Sequence, residues 1–118
     1  MGTFYVAIQV ADRFRERYAN IDALVDTGSS YSSLPESLLD ELAVEREENR
    51  QFELADNRIV EYSLGETRVR IDDREKTVPV MFAPDDTTPL VGATTLEILG
   101  LGVDPLAETL VPVIALGR

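Results

Sequence analysis

Histidine, cysteine and tryptophan are absent from the 118 residues, and lysine occurs once, as Lys76. Without cysteine or histidine there is no zinc finger, no Cys–His nucleophile, no Ser–His–Asp triad and no imidazole base. Chemistry near neutral pH is left to carboxylates, hydroxyls, arginine, tyrosine and that one lysine. Positive charge is also scarce, with 11 basic against 22 acidic side chains and a net charge of −11. No basic stripe is present to displace counterions from phosphates, so nucleic acid is not an expected partner. No apolar run approaches the roughly 20 residues that a membrane span requires. A secretory signal is not expected either, because Asp12 to Arg17 is dense with charge where an apolar stretch would continue. Met1-Gly2 opens like a myristoylation site, but Val6 stands where that signal needs Ser or Thr. These absences predict a cytoplasmic protein with no membrane partner.

What is present is globular composition, 44% hydrophobic and 28% charged. The length fits a single domain over residues 1–118. It suffices to bury roughly two-thirds of the unfolded surface without disulfide or metal staples.

The hydrophobic period is mostly two. Phe4, Val6, Ile8 and Val10 alternate with Thr3, Tyr5, Ala7 and Gln9, which predicts a half-buried first strand. Asp12 to Asn20 reads as a hairpin connection, and Ile21 to Val25 as a second strand running into the turn-forming cluster Asp26-Thr27-Gly28-Ser29-Ser30. Ser33 to Leu42 predicts a helix of two to three turns, with a hydroxyl cap and an early proline. Glu45 to Arg50 reads as a solvated charge run. Gln51–Ala55 and Arg58–Leu64 predict a hairpin around Asp56-Asn57, a pair that tolerates positive φ. Gly65–Ile71 extends that ribbon, Asp72–Lys76 turns it back, and Thr77–Phe82 is a further strand in which Pro79 suggests an edge or a bulge. Ala93 to Leu99 has helical spacing and is stopped by Gly100, and Leu110 to Leu116 is strand-like. With about seven strands and two short helices, the predicted class is mainly β. Ala23-Leu24-Val25-Asp26-Thr27-Gly28 and Pro89-Leu90-Val91-Gly92 form a faint internal echo, each a short apolar strand ending at a glycine-containing turn that feeds a helix.

Asp26-Thr27-Gly28 by itself fits an Asx-turn in which the aspartate caps its own backbone. Three features accompany it: Leu24-Val25 just before, a long hairpin about 30 residues later, and Leu90-Val91-Gly92 ahead of a C-terminal helix. In this combination the chain resembles the retropepsin-like aspartic proteases, the half-sized relatives of pepsin, and especially their short single-domain prokaryotic type. The resemblance runs from the first strand to the C-terminal strand. It implies a closed, mostly β acid-protease barrel with two short helices, one lobe per chain, working as a homodimer with its termini often interleaved at the interface. It implies that Asp26 is the catalytic aspartate, that Thr27 bonds across the dimer axis, and that Gly28 lets substrate approach the backbone. Ser29 would either bond the outer oxygen of Asp26 or only end the turn. The hairpin at Ala55, Asp56 and Asn57 would be the flap closing over a peptide or protein substrate. Tyr62 would line a side-chain pocket or pack across the strands.

The implied chemistry needs neither cofactor nor metal. Asp72-Asp73 and Asp85-Asp86 lie in apparent turns and read as solvated loop charge. Ser30, Ser32 and Ser33 read as turn and cap residues. The chain departs from the family pattern at the flap tip, where Asp56-Asn57 replaces glycine and puts an acid that could repel acidic substrates. It departs again after Gly92, where Ala93 and Thr94 replace the arginine and the Asp or Asn of the retroviral members. Two other readings stay open: a non-catalytic dimeric peptide-binding module on the same fold, and an unrelated acidic β-barrel with a coincidental turn.

Overall fold

The computed structural model describes residues 3–114 and 117. Charge and alternation shape the first ribbon. Strand β1 (Phe4–Ala11) pairs antiparallel with β2 (Tyr18–Val25), from Phe4 opposite Val25 to Ala11 opposite Tyr18. Ile8, Val10, Ala23 and Val25 are buried while Tyr5, Ala7 and Asp22 face out, as period-two burial requires. The connection is shorter than the sequence suggests, because β2 starts at Tyr18 and not at Ile21. Asp12 tightens it by accepting the Glu16 N–H on Oδ1 at 2.8 Å, while Arg15 takes a positive φ of 58°.

After the Asp-Thr-Gly turn the structure corrects the expected helix. Ser32–Pro35 form strand β3, and helix α1 covers only Glu36–Glu41. The hydroxyls of Ser32 and Ser33 therefore do not cap a helix. Their backbones are engaged by a parallel pairing to β6 (Arg74–Ala83), from Ser32 opposite Val80, and by Ser33 opposite Leu90. Tertiary pairing outweighs the local capping signal. Asp85 supplies the helix start instead, its Oδ1 accepting the Ser37 N–H at 3.0 Å.

The expected solvated run after Glu45 holds only to Glu47. Glu48–Glu53 are strand β4, whose side chains are mostly exposed, paired with β5 (Ile59–Ile71) from Glu48 opposite Leu64 to Glu53 opposite Ile59. The turn back from β5 is also tighter than expected. Only Asp72 and Asp73 separate Ile71 from its partner Arg74, and Asp72 adopts φ 56°. Pro79 sits in the strand without a bulge, paired with Glu66. Alternation from the Ile71–Arg74 pair points its missing N–H away from β5, and β3 reaches only as far as Val80.

The remaining elements are β7 (Leu90–Val91), α2 (Ala93–Leu99), β8 (Leu101–Asp104) and β9 (Thr109–Pro112). Seven strands join in the order β1-β2-β7-β3-β6-β5-β4, β1 pairs additionally with β5 through Gln9–Ala11 and Arg68–Arg70, and β8-β9 stand as a separate ribbon. The sequence gives no warning of β8, because Gly102 and Asp104-Pro105 read as punctuation. Of the strand expected at its end, Leu110–Pro112 fall in β9, while Ala115 and Leu116 lie outside the described residues. The core collects Val10, Leu34, Leu39, Val78, Val80 and Val91, all essentially without exposure. Gly100 closes α2 at φ 71°, a left-handed position that a side chain would strain. Among the described residues no helix is long and apolar enough to cross a membrane.

Candidate active site

Asp26 follows the last residue of β2, where that strand runs parallel to β7. Leu24 N–H donates to Pro89 O at 2.8 Å and Asp26 N–H to Val91 O at 3.0 Å, so the backbone of the aspartate is clamped to the neighbouring strand. The chain then turns sharply. Ser29 N–H donates to Asp26 O at 3.1 Å, and Gly28 N–H donates to Asp26 Oδ1 at 3.0 Å. This is the Asx-turn that the sequence permits. A Cβ on Gly28 would lie 3.2 Å from that same Oδ1, so the bare glycine lets the amide approach. Asp26 Oδ2 has no hydrogen-bond partner among the described residues.

The Ser29 hydroxyl does not bond Asp26. It donates to Tyr31 O at 2.8 Å and so shapes the turn behind the aspartate. Thr27 is exposed, with no side-chain partner among the described residues. Behind the turn, Ala93 N–H and Thr94 N–H of α2 donate to Ser29 O and Ser30 O at 2.8 and 3.0 Å. These bonds satisfy amides that the first turn of a helix otherwise leaves unpaired. Gly92 is required here, since a Cβ would fall 2.5 Å from Tyr31 O. Ser32 completes the frame. Its Oγ accepts the Gly92 N–H at 3.1 Å and hydrogen-bonds the Thr95 hydroxyl, with both side chains buried. The faint echo in the sequence thus corresponds to two adjacent parallel strands, although β3 intervenes before the first helix.

Asp26, Gly28 and Ser29 line a cleft of about 610 Å³ whose opposite wall is the β4–β5 hairpin. The hairpin tip is closed by Asn57 N–H to Leu54 O and Leu54 N–H to Arg58 O, both 2.9 Å, with Asn57 at φ 68°. Asparagine thus takes the left-handed position that glycine commonly fills. Ala55 lines the cleft, whereas Asp56 and Asn57 do not. Asp56 turns to its own strand, with Oδ2 2.7 Å from Arg58 Nε and Oδ1 accepting the Arg58 N–H. The Arg58 side chain foremost holds the Asp56 carboxyl below the ordinary carboxylate range.

Three aromatic rings join the two walls. Phe52 meets Tyr31 edge-on at 6.1 Å and Tyr62 in a tilted contact at 6.3 Å, and the Tyr31 hydroxyl accepts a hydrogen bond from Arg50. Tyr62 therefore both lines the cleft and packs across the strands. Of the three, Tyr62 stands out in the sequence by its place on the hairpin ribbon. Tyr31 carried no such signal, because its partners are remote in sequence.

The aspartyl protease family profile matches residues 9–104. Among solved structures, a retropepsin-like aspartic protease from Rickettsia conorii superposes with a TM-score of 0.59 at 22% identity, covering 88% of this chain and 78% of that one. The simian foamy virus protease superposes with a TM-score of 0.57 at 12% identity, covering 81% of this chain and 94% of that one. No curated protein matches by sequence. The profile match spans both the Asp-Thr-Gly turn and the hairpin facing it, and the fold agrees: this chain belongs to the aspartyl protease family and has a retropepsin-like fold.

Proposed function

We propose that the chain is one lobe of a homodimeric peptide hydrolase in which two copies of Asp26 activate a single water. The observation that carries this reading is the placement of Asp26 on one wall of a cleft whose other wall is a projecting hairpin. Amide hydrolysis needs a base to take a proton from water and an acid to protonate the carbonyl oxygen. Two carboxyl groups about 3 Å apart share one proton, because two like charges so close do not both persist; aspartic proteases are the standing example. The ionised Asp26 removes a water proton as the oxygen attacks the carbonyl carbon, and the protonated copy gives its proton to the carbonyl oxygen. Collapse of the tetrahedral diol breaks the C–N bond, and a proton passes to the departing amine. The sequence holds one Asp-Thr-Gly, so the second carboxyl comes from a second copy about a two-fold axis.

Several features support this arrangement. Thr27 is exposed beside Asp26, free to bond across such an axis. The pairing of β1 with both β2 and β5 fits a closed barrel, and residues 1–118 fit one lobe. Leu106, Val113 and Ile114 are exposed on and beside the β8–β9 ribbon, and Ile114 entirely so, which suits burial against a second copy. The chain's charge of −11 doubles on association, so salt favours the dimer. The substrate is an extended peptide held between cleft and hairpin, with no cofactor. The test pairs sedimentation with cleavage of a peptide library by wild type and Asp26→Asn. Dimeric wild type that cuts, with Asp26→Asn dimeric and inert, is expected. A monomer at every concentration, or equal turnover by the two proteins, overturns the reading. Dimers of both that bind peptide without cutting establish the binding-module alternative.

A further inference from the structure

We infer that Ser33 is a specificity-determining residue of this cleft, and that the subsite over it takes an uncharged hydrogen-bonding side chain (Thr, Asn or Gln) in preference to the apolar isostere. The inference rests on the peptide-hydrolase reading of the same cleft and adds the class of side chain it selects. Among the described residues the buried polar side chains are Asp12, Ser32, Ser33, Thr67 and Thr95. Asp12 accepts the Glu16 N–H, Ser32 and Thr95 bond each other, and Thr67 donates to Ala11 O. Ser33 is the exception: it is 3% exposed and makes no side-chain hydrogen bond among the described residues. Yet no buried side-chain nitrogen or oxygen among them is sealed off without a partner. The Ser33 hydroxyl therefore opens onto the cleft that it lines, and its donor and acceptor capacity faces whatever enters there.

Strand register aims it there. Ser33 stands opposite Leu90 of β7 and Met81 of β6, and Leu24 of β2 stands opposite the same Leu90. Paired residues share a face of the sheet, and alternate residues return to it. Asp26, two residues beyond Leu24 and still bonded to β7, thus presents the same face as Leu90, Ser33 and Met81, and all four line the cleft. Tyr62 joins them, two residues before the Leu64 that stands opposite Met81. Ser32, one position earlier than Ser33, points through the sheet to Thr95 of α2 instead. With β7 lying between β2 and β3, Ser33 sits about 10 Å across the sheet from the strand that carries Asp26. That distance places it beyond the reacting amide and under a neighbouring side chain of an extended peptide.

The surroundings of this hydroxyl are apolar. Leu90 and Met81 flank it on the sheet, and the hairpin wall adds Phe52 and Tyr62. A side chain with its own donor or acceptor bonds the Ser33 Oγ and lays its remaining atoms on those surfaces. An apolar isostere displaces water from the hydroxyl and offers no partner, which leaves a polar group unpaired in an apolar setting. This asymmetry lets a hydrogen-bonding site reject an analogue of equal size. An ionised side chain loses more in desolvation than one neutral hydroxyl returns. Both arginines that line the cleft are already paired, Arg50 with Glu48 and Arg58 with Asp56.

The test uses Asp26→Asn protein and a peptide library that offers near-isosteric pairs one position at a time: Thr and Val, Asn and Leu, Gln and Met, with Asp as the charged counterpart of Asn. At one position, or at a pair related by the dimer axis, the polar member binds about fivefold more tightly than the apolar one, and Asp binds more weakly than Asn. Adding Ser33→Ala removes that preference and leaves the ranking at other positions in place, and Ser33→Val reverses it. Urea unfolding confirms that both variants are folded. A library with no such position, no binding of any peptide, a preference that survives both Ser33 changes, or Asp outranking Asn at that position overturns the inference. Cleavage by protein with Asp26 intact separates it from its parent. Polar preference in binding without any cutting removes the hydrolase reading alone, and cutting that is blind to the polar or apolar choice at every position removes the Ser33 selectivity alone.

Discussion

The Arg50 guanidinium donates to the Tyr31 hydroxyl at 3.0 Å, joining strand β4 to the chain just beyond the Asp26 turn. The same guanidinium holds Glu48, and the Tyr31 ring abuts Phe52 edge-on. Hairpin and Asp26 turn are thereby held at a fixed spacing across the cleft.

Tyr31→Phe removes this bond and keeps the ring contact. An exposed hydrogen bond is worth about 1 kcal/mol, so global stability shifts little while KM rises about threefold with kcat nearly unchanged. Steady-state kinetics on one good peptide, alongside a thermal melt, checks the split. A fall confined to kcat contradicts a positioning role for the pair.

Ser32→Ala leaves the Gly92 N–H and the Thr95 hydroxyl buried without their shared partner. The expected cost is about 1–3 kcal/mol in urea unfolding. Ser33→Ala, which removes another buried hydroxyl on the same strand but has no side-chain hydrogen bond among the described residues, costs less. Equal costs contradict the bridging role.

Arg74 on β6 donates from Nη1 to Leu99 O and Gly100 O at 2.9 and 3.0 Å, capping the C-terminal end of α2, which has no basic residue in its own last turn. Arg74→Met therefore lowers stability by about 1–2 kcal/mol, from the lost charged hydrogen bonds and the lost match to the helix dipole. Arg74→Lys restores only part of it, because an ammonium lacks the planar fork. Denaturant midpoints of the three proteins check the order.

Asp12 gives the fold an acid-sensitive joint. The Glu16 N–H foremost, and then the Arg17 N–H and guanidinium, hold its carboxyl below the ordinary value of 3.8. Folding thus favours the ionised form, and the stability it contributes is present above that ordinary value and lost as pH falls through the lowered one. Asp12→Asn keeps a capping oxygen but no charge. Wild type is more stable than Asp12→Asn at neutral pH, and the gap closes as pH falls below the ordinary carboxylate value and through the lowered one. Urea titrations at several pH values read this directly, and a gap that persists in strong acid contradicts it.

Much of the architecture was legible because it is written in local rules. Alternation of Phe4, Val6, Ile8 and Val10 marks β1, Gly100 marks the end of α2, and Asn57 accepts the positive φ that closes the β4–β5 hairpin. The serines after Asp26 misled, because a hydroxyl before an apolar run signals a helix cap equally well when the backbone is claimed by a strand. The cleft charges misled similarly. Asp56 stood out as an acid at the hairpin tip, yet its carboxylate is paired with Arg58 two residues on and does not line the cleft.

The sequence by itself determined a mainly β chain with a single Asp-Thr-Gly turn and a hairpin able to face it, since periodicity and turn chemistry act over a few adjacent residues. Tertiary structure alone decided that β7 lies beside β2 and fixes the Asp26 amide, that Ser32 ties that frame to α2, and that Tyr31, Phe52 and Arg50 meet across the cleft. Those pairings join residues far apart along the chain. What selects them is the burial of Ala23, Val25 and Val91 in the core and the need to satisfy the amides beside them, conditions that exist only once the whole sheet has formed.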